Sequence, residues 1–188
     1  MKQARTLNDK QLKAVFAHCA TRRHAARDRA IVAVSFMAGL RAKEIAALTI
    51  DNVRDEQGKV RDEFVLSKEQ TKGRKARRVF VSTKLKQELL AYFGKVKLRH
   101  GCYALFQSQK GAAFSPNTMC QLFLNIYAEA GIDGASSHSG RRSLLTRLAG
   151  KGISVRVLAE IAGHSSIAIT QRYLDVNDEK IRVALERI

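Results

Sequence analysis

The sequence predicts a mainly α-helical domain of the α+β class, carrying one small antiparallel β-sheet. Three observations predict it. Apolar residues recur at helical spacing over most of the chain; between Thr49 and Ser82 that period gives way to short β-prone runs; and the lone proline, with no Ser- or Gly-rich stretch, leaves no linker for a second domain. A chain of 188 residues that is 45% hydrophobic can bury a proper core, so residues 1–188 read as one domain.

In order along the chain, a first helix runs from Thr6 to about Ala20, with Thr6 and Asp9 spaced as a capping box and a stripe of Leu7, Leu12, Val15 and Phe16. A basic stretch (Arg22, Arg23, His24, Arg27) leads into a second helix through Ile31, Val34, Phe36 and Met37, ended by Gly39. A third starts near Arg41 and carries Ile45, Ala46 and Leu48. Then come the β-prone pieces Thr49-Ile50, Phe64-Val65-Leu66 and Val79-Phe80-Val81, punctuated by Gly58 and Gly73. The last two flank a basic hairpin, Thr71 to Arg78. Helices resume from Lys84 to about Val96, and from Ser115, a cap followed by Pro116 at the first helical position, to Ala130. Ser139–Ala149, Val155–Ala162 and Ile167–Leu174 are shorter helices. A last one starts at Asn177, where Asp178 and Glu179 suit the positive end of its dipole.

Charge narrows the function. Lys and Arg total 34 against 17 Asp and Glu, a net charge of +17. A field of that sign recruits polyanions, and double-stranded DNA is the expected partner. The charge is not gathered on one amphipathic segment, and the longest mostly apolar run, Ala30 to Leu40, is too short to cross a bilayer, so no membrane role is expected. Cys19, Cys102 and Cys120 stand far apart without a CxxC pair, which fits reduced thiols in the cytoplasm, near the nucleoid, and neither a disulfide framework nor a zinc site.

The chain has no GxxxxGK[ST] loop to hold ATP and no Asp/Glu cluster for two metal ions. No cofactor and no metal are expected. Phosphodiester chemistry without metal needs side-chain cations and a nucleophile that forms a covalent intermediate, and Arg suits the first role because its planar fork grips two phosphate oxygens and stays charged.

Four segments meet that need. They are Gly39-Leu40-Arg41-Ala42-Lys43-Glu44-Ile45-Ala46-Ala47-Leu48, Thr71-Lys72-Gly73-Arg74-Lys75-Ala76-Arg77-Arg78, His138-Ser139-Gly140-Arg141, and Ala162-Gly163-His164 followed nine residues later by Tyr173. Together, over roughly residues 6 to 176, they resemble the tyrosine recombinase (phage integrase) family: its G-x-R-x-x-E-(I/L)-x-x-L segment, its G-K-G-x-K-x-R hairpin, its H-x-x-R box and its L-G-H segment with a following tyrosine. The resemblance implies the fold of a DNA breaking-rejoining catalytic domain. It implies that Arg41, Lys72, His138, Arg141 and His164 are catalytic and that Tyr173 is the nucleophile, with Arg74, Lys75, Arg77, Arg78 and Arg142 holding DNA. Lys75 rivals Lys72 as the catalytic lysine. Read singly, each box has a plain structural meaning: Arg41 as a helix-start ion pair, the hairpin as a solvated basic turn, His164 as a packing histidine, Tyr173 as a core-edge tyrosine.

By the same resemblance, Arg41 and Arg141 grip the scissile phosphate, Tyr173 attacks it to leave a 3′-phosphotyrosyl link and a free 5′-hydroxyl, His138 takes the phenolic proton and Lys72 protonates the leaving oxygen. An unperturbed phenol, with a pKa near roughly 10, needs such an acceptor. Three departures stand out: Arg142 where a second histidine is frequent, Ala162 in place of Leu, and Phe80-Val81-Ser82 in place of Val-Pro-Leu. Most members carry an N-terminal helical domain that clamps DNA, and none is expected here; the fimbrial-switch recombinases are stand-alone members of this kind. A homotetramer on DNA, an accessory DNA-binding protein and a docking role for residues 177–188 on a neighbouring protomer are further expectations. Two other functions compete: a type IB topoisomerase, which shares the chemistry, and a basic helix-turn-helix regulator built on Leu158 to Thr170.

Overall fold

The computed structural model of the chain describes residues 4–71, 75–173 and 186. Helix α1 (Asp9–Thr21) is capped by Asn8, whose side chain accepts from the Gln11 amide while Gln11 accepts from the amide of Asn8. This box lies two residues beyond the expected Thr6–Asp9 pair. Leu7 is buried and its amide donates to Ser143 Oγ at 2.7 Å, so the chain at Thr6 runs as a strap outside the helix.

Helix α2 (Ala25–Ala38) is the central element, with ten of its 14 residues buried. It packs against α1, against α5 (Thr83–Lys95) and against α7 (Ser139–Gly150). Two charges enter the core on α2 and neutralise each other: Asp28 accepts from Arg27 and from Arg22 Nε at 2.8 Å. Gly39 ends α2 in the left-handed conformation, as expected. The crossing with α7 is close because Gly140 lacks a side chain: a Cβ there would collide with Ser35 Oγ.

Helix α3 (Ala42–Ala46) follows at once, then α4 (Ile50–Val53). The expected strand at Thr49-Ile50 is reduced to one bridge from Thr49 to Ala104. The Thr49 hydroxyl accepts from the Asn52 amide, and this cap turns Ile50 into a helix instead. Strands β1 (Glu63–Leu66) and β2 (Arg77–Phe80) form an antiparallel pair with Leu66 opposite Arg77 and Phe64 opposite Val79. Helix α6 (Pro116–Glu129) starts at the Ser115 cap, as expected, and packs on α3. Helices α8 (Val155–Ala162) and α9 (Ile167–Gln171) close the described chain. The helix expected from Asn177, and Leu174 at the end of the preceding one, lie outside the described residues.

The buried apolar residues form two groups. A large cluster runs from Leu7 to Ala135 and includes Tyr92, Phe106, Phe123 and Tyr127. A small one consists of Leu145, Leu158 and Ala162, with Ile161, Leu148 and Tyr173 packed on it. Cys19, Cys102 and Cys120 are free thiols. Among the described residues no helix is long and apolar enough to cross a membrane.

Candidate active site

Arg41 is the N-cap of α3, three residues past the end of α2. Its direction is set by Glu44, which is fully buried and accepts from the Arg41 backbone at 2.8 Å and from its guanidinium at 2.9 Å. The other oxygen-sharing partner is Arg77, whose Nη2 is 2.8 Å from Glu44 Oε2. Burial alone would push the Glu44 carboxyl up; the charge of Arg77, the Arg41 amide and the Arg41 charge bring it below its ordinary value. The carboxylate is therefore ionised and holds two cations at once.

Arg141 lies in the first turn of α7, only 3% exposed. It donates to Gly39 O at 2.7 Å and to Ala162 O, joining the end of α2 to the end of α8. Carbonyls satisfy the donors without cancelling the charge. Burial first, then the repulsion of Arg41, pushes the Arg141 pKa down to about 9, while the Glu44 carboxylate opposes that fall. The group stays protonated at neutral pH. A buried cation pressed by another cation is a site prepared for an anion.

The turn after α8 delivers the imidazole. Gly163 adopts φ +58°, and an added Cβ there would strike Arg77 Cδ. His164 follows, its Nδ1 2.8 Å from the buried Thr170 Oγ1. Burial, then the charges of Arg141, Arg41 and Arg77, lowers its pKa to about 4, so the ring is neutral at pH 7. Tyr173 stacks on His164 with centroids 6.1 Å apart and planes at 15°, and the Arg142 guanidinium lies 5.6 Å from the Tyr173 ring centroid. A cavity of about 580 Å³ opens here, lined by Arg41, Glu44, Lys75, Arg77 and His164 among others.

Of the expected catalytic groups, Arg41 and His164 line this cavity, Arg141 is bonded to Gly39 O and Ala162 O, and Tyr173 stacks on His164. His138 does not line the cavity; it is the exposed N-cap of α7, its Nδ1 3.4 Å from Ser137 Oγ. Lys72 and Arg74 lie outside the described residues. Lys75 is exposed at the cavity rim, where Thr71 Oγ1 donates to its carbonyl at 2.9 Å. Arg78 is exposed near Glu63, as a surface cation should be. Arg77, grouped with the DNA-holding cations from the sequence, instead points inward. Its partner Glu44, and Thr170, the partner of His164, are site residues that the motif assignments do not single out. A glutamate one turn after an N-cap arginine, in a buried helix, was the available signal. Among the described residues no group of three or more His, Cys, Asp or Glu side chains forms a metal-binding set.

The geometry agrees with comparison to known proteins. The model of the phage integrase family matches residues 5–180. The chain belongs to the phage integrase family. Among curated members, it is 32% identical over 157 residues to tyrosine recombinase XerC of Rhodospirillum centenum, covering 82% of this chain and 44% of that one. To tyrosine recombinase XerA of Pyrococcus furiosus it is 29% identical over 163 residues, covering 86% and 54%. The chain spans about half the length of the curated family members it matches. The same fold is found in crystalline XerA recombinase, with a TM-score of 0.78 at 24% identity over 100% of this chain and 66% of that one. It also occurs in the Tn1549 transposon integrase in complex with a circular intermediate DNA, with a TM-score of 0.79 at 17% identity over 100% and 67%. The catalytic domain of bacteriophage HP1 integrase matches over 98% of this chain and 95% of its own, with a TM-score of 0.65 at 23% identity.

Proposed function

We propose that this chain is the catalytic domain of a site-specific DNA recombinase that cuts and rejoins DNA through Tyr173, without metal or ATP. The observation that carries the reading is the grouping of Arg41 and His164 on one cavity with Arg141 bonded to Gly39 O and Ala162 O and Tyr173 stacked on His164, in a chain of net charge +17. The two guanidiniums bind the non-bridging oxygens of the scissile phosphate and stabilise the charge that builds in the transition state. Removing one such donor costs about 10²–10³ in rate. The Tyr173 oxygen attacks phosphorus, the bond to the 5′-oxygen breaks, and the phenolic proton passes to a base, assigned by family resemblance to His138. The neutral His164 has one ring nitrogen engaged with Thr170, which leaves Nε2 for the phosphate. Lys72 protonates the departing 5′-oxygen, with Lys75 its rival. The phosphotyrosine conserves the bond energy, so the reverse attack by a 5′-hydroxyl reseals a strand.

The partner is double-stranded DNA, held by Lys75, Arg78 and Arg142 with Arg74 of the hairpin. On DNA the unit is a homotetramer, the segment 177–188 docks on a neighbouring protomer, and an accessory DNA-binding protein assists. The protein works in the cytoplasm at the nucleoid. The type IB topoisomerase and regulator readings gain no support: α9 has five residues, and its Thr170 turns inward to His164 instead of presenting a recognition face.

The test uses a pool of duplexes nicked within a randomised core, so that the cleaved end diffuses away and the adduct is trapped. Wild type is expected to yield a denaturant-resistant protein–DNA species enriched in one core sequence, and Tyr173→Phe none. An adduct that persists in Tyr173→Phe, or no adduct at all, contradicts the reading. Relaxation of any plasmid without sequence preference points to the topoisomerase.

A further inference from the structure

We propose that Arg77 is a positioning residue for strand cleavage, tying strand β2 both to the carboxylate that aims Arg41 and to the helix end that carries His164, and making no phosphate contact of its own. The inference rests on the recombinase reading above and assigns a residue within that site.

Three contacts define the clasp. Arg77 Nη2 meets Glu44 Oε2 at 2.8 Å, and Nη1 donates to Ile161 O at 3.0 Å. These partners stand 33 and 84 residues away in the sequence, so one guanidinium joins β2, α3 and α8. The third contact is steric: the Arg77 Cδ and Nε occupy the space a side chain at position 163 would need. The αL turn before His164 thus closes directly over the Arg77 stem. The side chain is 9% exposed, and its Nε is buried with no hydrogen-bond partner. Both terminal nitrogens of Arg77 are thus engaged by protein acceptors, one of them the ionised Glu44 carboxylate, which offsets its charge.

Strand geometry explains why it points inward. Successive side chains alternate between faces, and β2 shows half-buried Arg77, exposed Arg78, buried Val79 and exposed Phe80. Arg77 and Val79 share the inner face, and Arg78 takes the outer one with Phe80. Glu44 Oε2 serves both the Arg41 amide and Arg77, while Oε1 holds the Arg41 guanidinium. Loss of Arg77 leaves Glu44 free to rotate, and the aim of Arg41 goes with it. Lys75, at the cavity rim, stands two residues before Arg77, so the same clasp holds the chain that carries it.

The experiment compares wild type, Arg77→Lys, Arg77→Gln, Glu44→Gln and the Arg77→Lys, Glu44→Gln double variant on the nicked duplex recovered from the randomised pool. It measures the first-order cleavage rate at saturating DNA, the reacting fraction, and the dependence of affinity on salt. A lysine keeps the charge beside Glu44 but cannot also reach Ile161 O. The expected result for Arg77→Lys is a first-order rate lowered about 100-fold, the loss that a misplacement of about 1 Å produces. The salt slope should not change, and the double variant should be no slower than the worse single one, because both act through one carboxylate. A neutral Arg77→Gln variant whose salt slope falls by about 1 while its saturated rate is unchanged marks a phosphate contact and overturns the proposal. So does an unchanged rate with fewer reacting molecules, the signature of a folding defect alone. If Arg77→Lys does not fold, Glu44→Gln carries the same prediction for rate and slope. Absence of any adduct with wild type overturns the recombinase reading itself, a result separate from these.

Discussion

Arg41 stands between Leu40 and Ala42, members of a cluster of apolar side chains that runs from Leu7 to Ala135, with α2 enclosed at its centre. His164 and Tyr173 rest on three buried residues, Leu145, Leu158 and Ala162, and on the partly buried side chains around them. The two regions are joined by α7, which packs on α2 and carries Leu145, and by Arg141 to Ala162 O, Arg77 to Ile161 O and Leu144 near Gly39. Arg41 of the proposed phosphate clamp therefore stands on a deep core, and the proposed nucleophile Tyr173 on a shallow one. Shallow cores open locally at lower free energy than the whole domain. Under the proposed recombinase reading, a nucleophile that can be docked or withdrawn without unfolding the clamp allows one strand to be cut at a time.

The contrast is breakable by mutation. Phe123→Ala in the large cluster is expected to cost about 3–5 kcal/mol and to lower one cooperative unfolding transition, read by calorimetry. Glu44→Ala strands two guanidiniums beside a lost carboxylate and is expected to cost about 3–5 kcal/mol, with cleavage falling in parallel. Leu158→Ala in the small cluster should cost about 2 kcal/mol, the low end for such a truncation, because its surroundings can collapse. Its signature is uneven. Amides of α8 and α9 should exchange faster while those of α2 keep their protection, and cleavage should drop more than global stability does. Equal loss of protection in α2 and α8 would show that the two regions unfold as one.

The smallest effect is that of pH. His164 has a pKa near 4 in the folded chain against an ordinary 6.5. Below 6.5 the unfolded chain takes up a proton that the folded one refuses, so stability is full above that value and declines as pH falls toward 4. His24 is lowered as well, by burial and then by Arg27, so the measurement is the difference between wild type and His164→Asn. The variant is expected to show a flatter fall of Tm between pH 6.5 and 4. Identical slopes would mean that the imidazole does not feel the clamp.

Much of this arrangement is legible in the residues. Gly39 announces the end of α2, Ser115-Pro116 the start of α6, and Arg41, Arg141, His164 and Tyr173 declare themselves by type and spacing. What the chain conceals follows from competition between neighbours. At Thr49 a β-branched pair looks like a strand, but the Thr49 side chain caps Asn52 and the helix wins. At 79–81 three apolar residues in a row hide which face is inner; Val79 and Val81 are buried, Phe80 is 61% exposed, and Arg77 follows the valines inward. A run of cations reads as uniform solvent-facing charge, and only the partner 33 residues away shows that one of them is structural.

The most direct measurement of the central claim is the identity of the residue that carries DNA. Trypsin cleaves after Arg172 and after Lys180, so digestion of the trapped adduct should release the peptide that begins at Tyr173, heavier by the nucleotide it holds through a phosphodiester to the phenol. Nucleotide found on any other peptide, or that peptide recovered only in unmodified form from a verified adduct, contradicts the assignment of Tyr173 as the nucleophile.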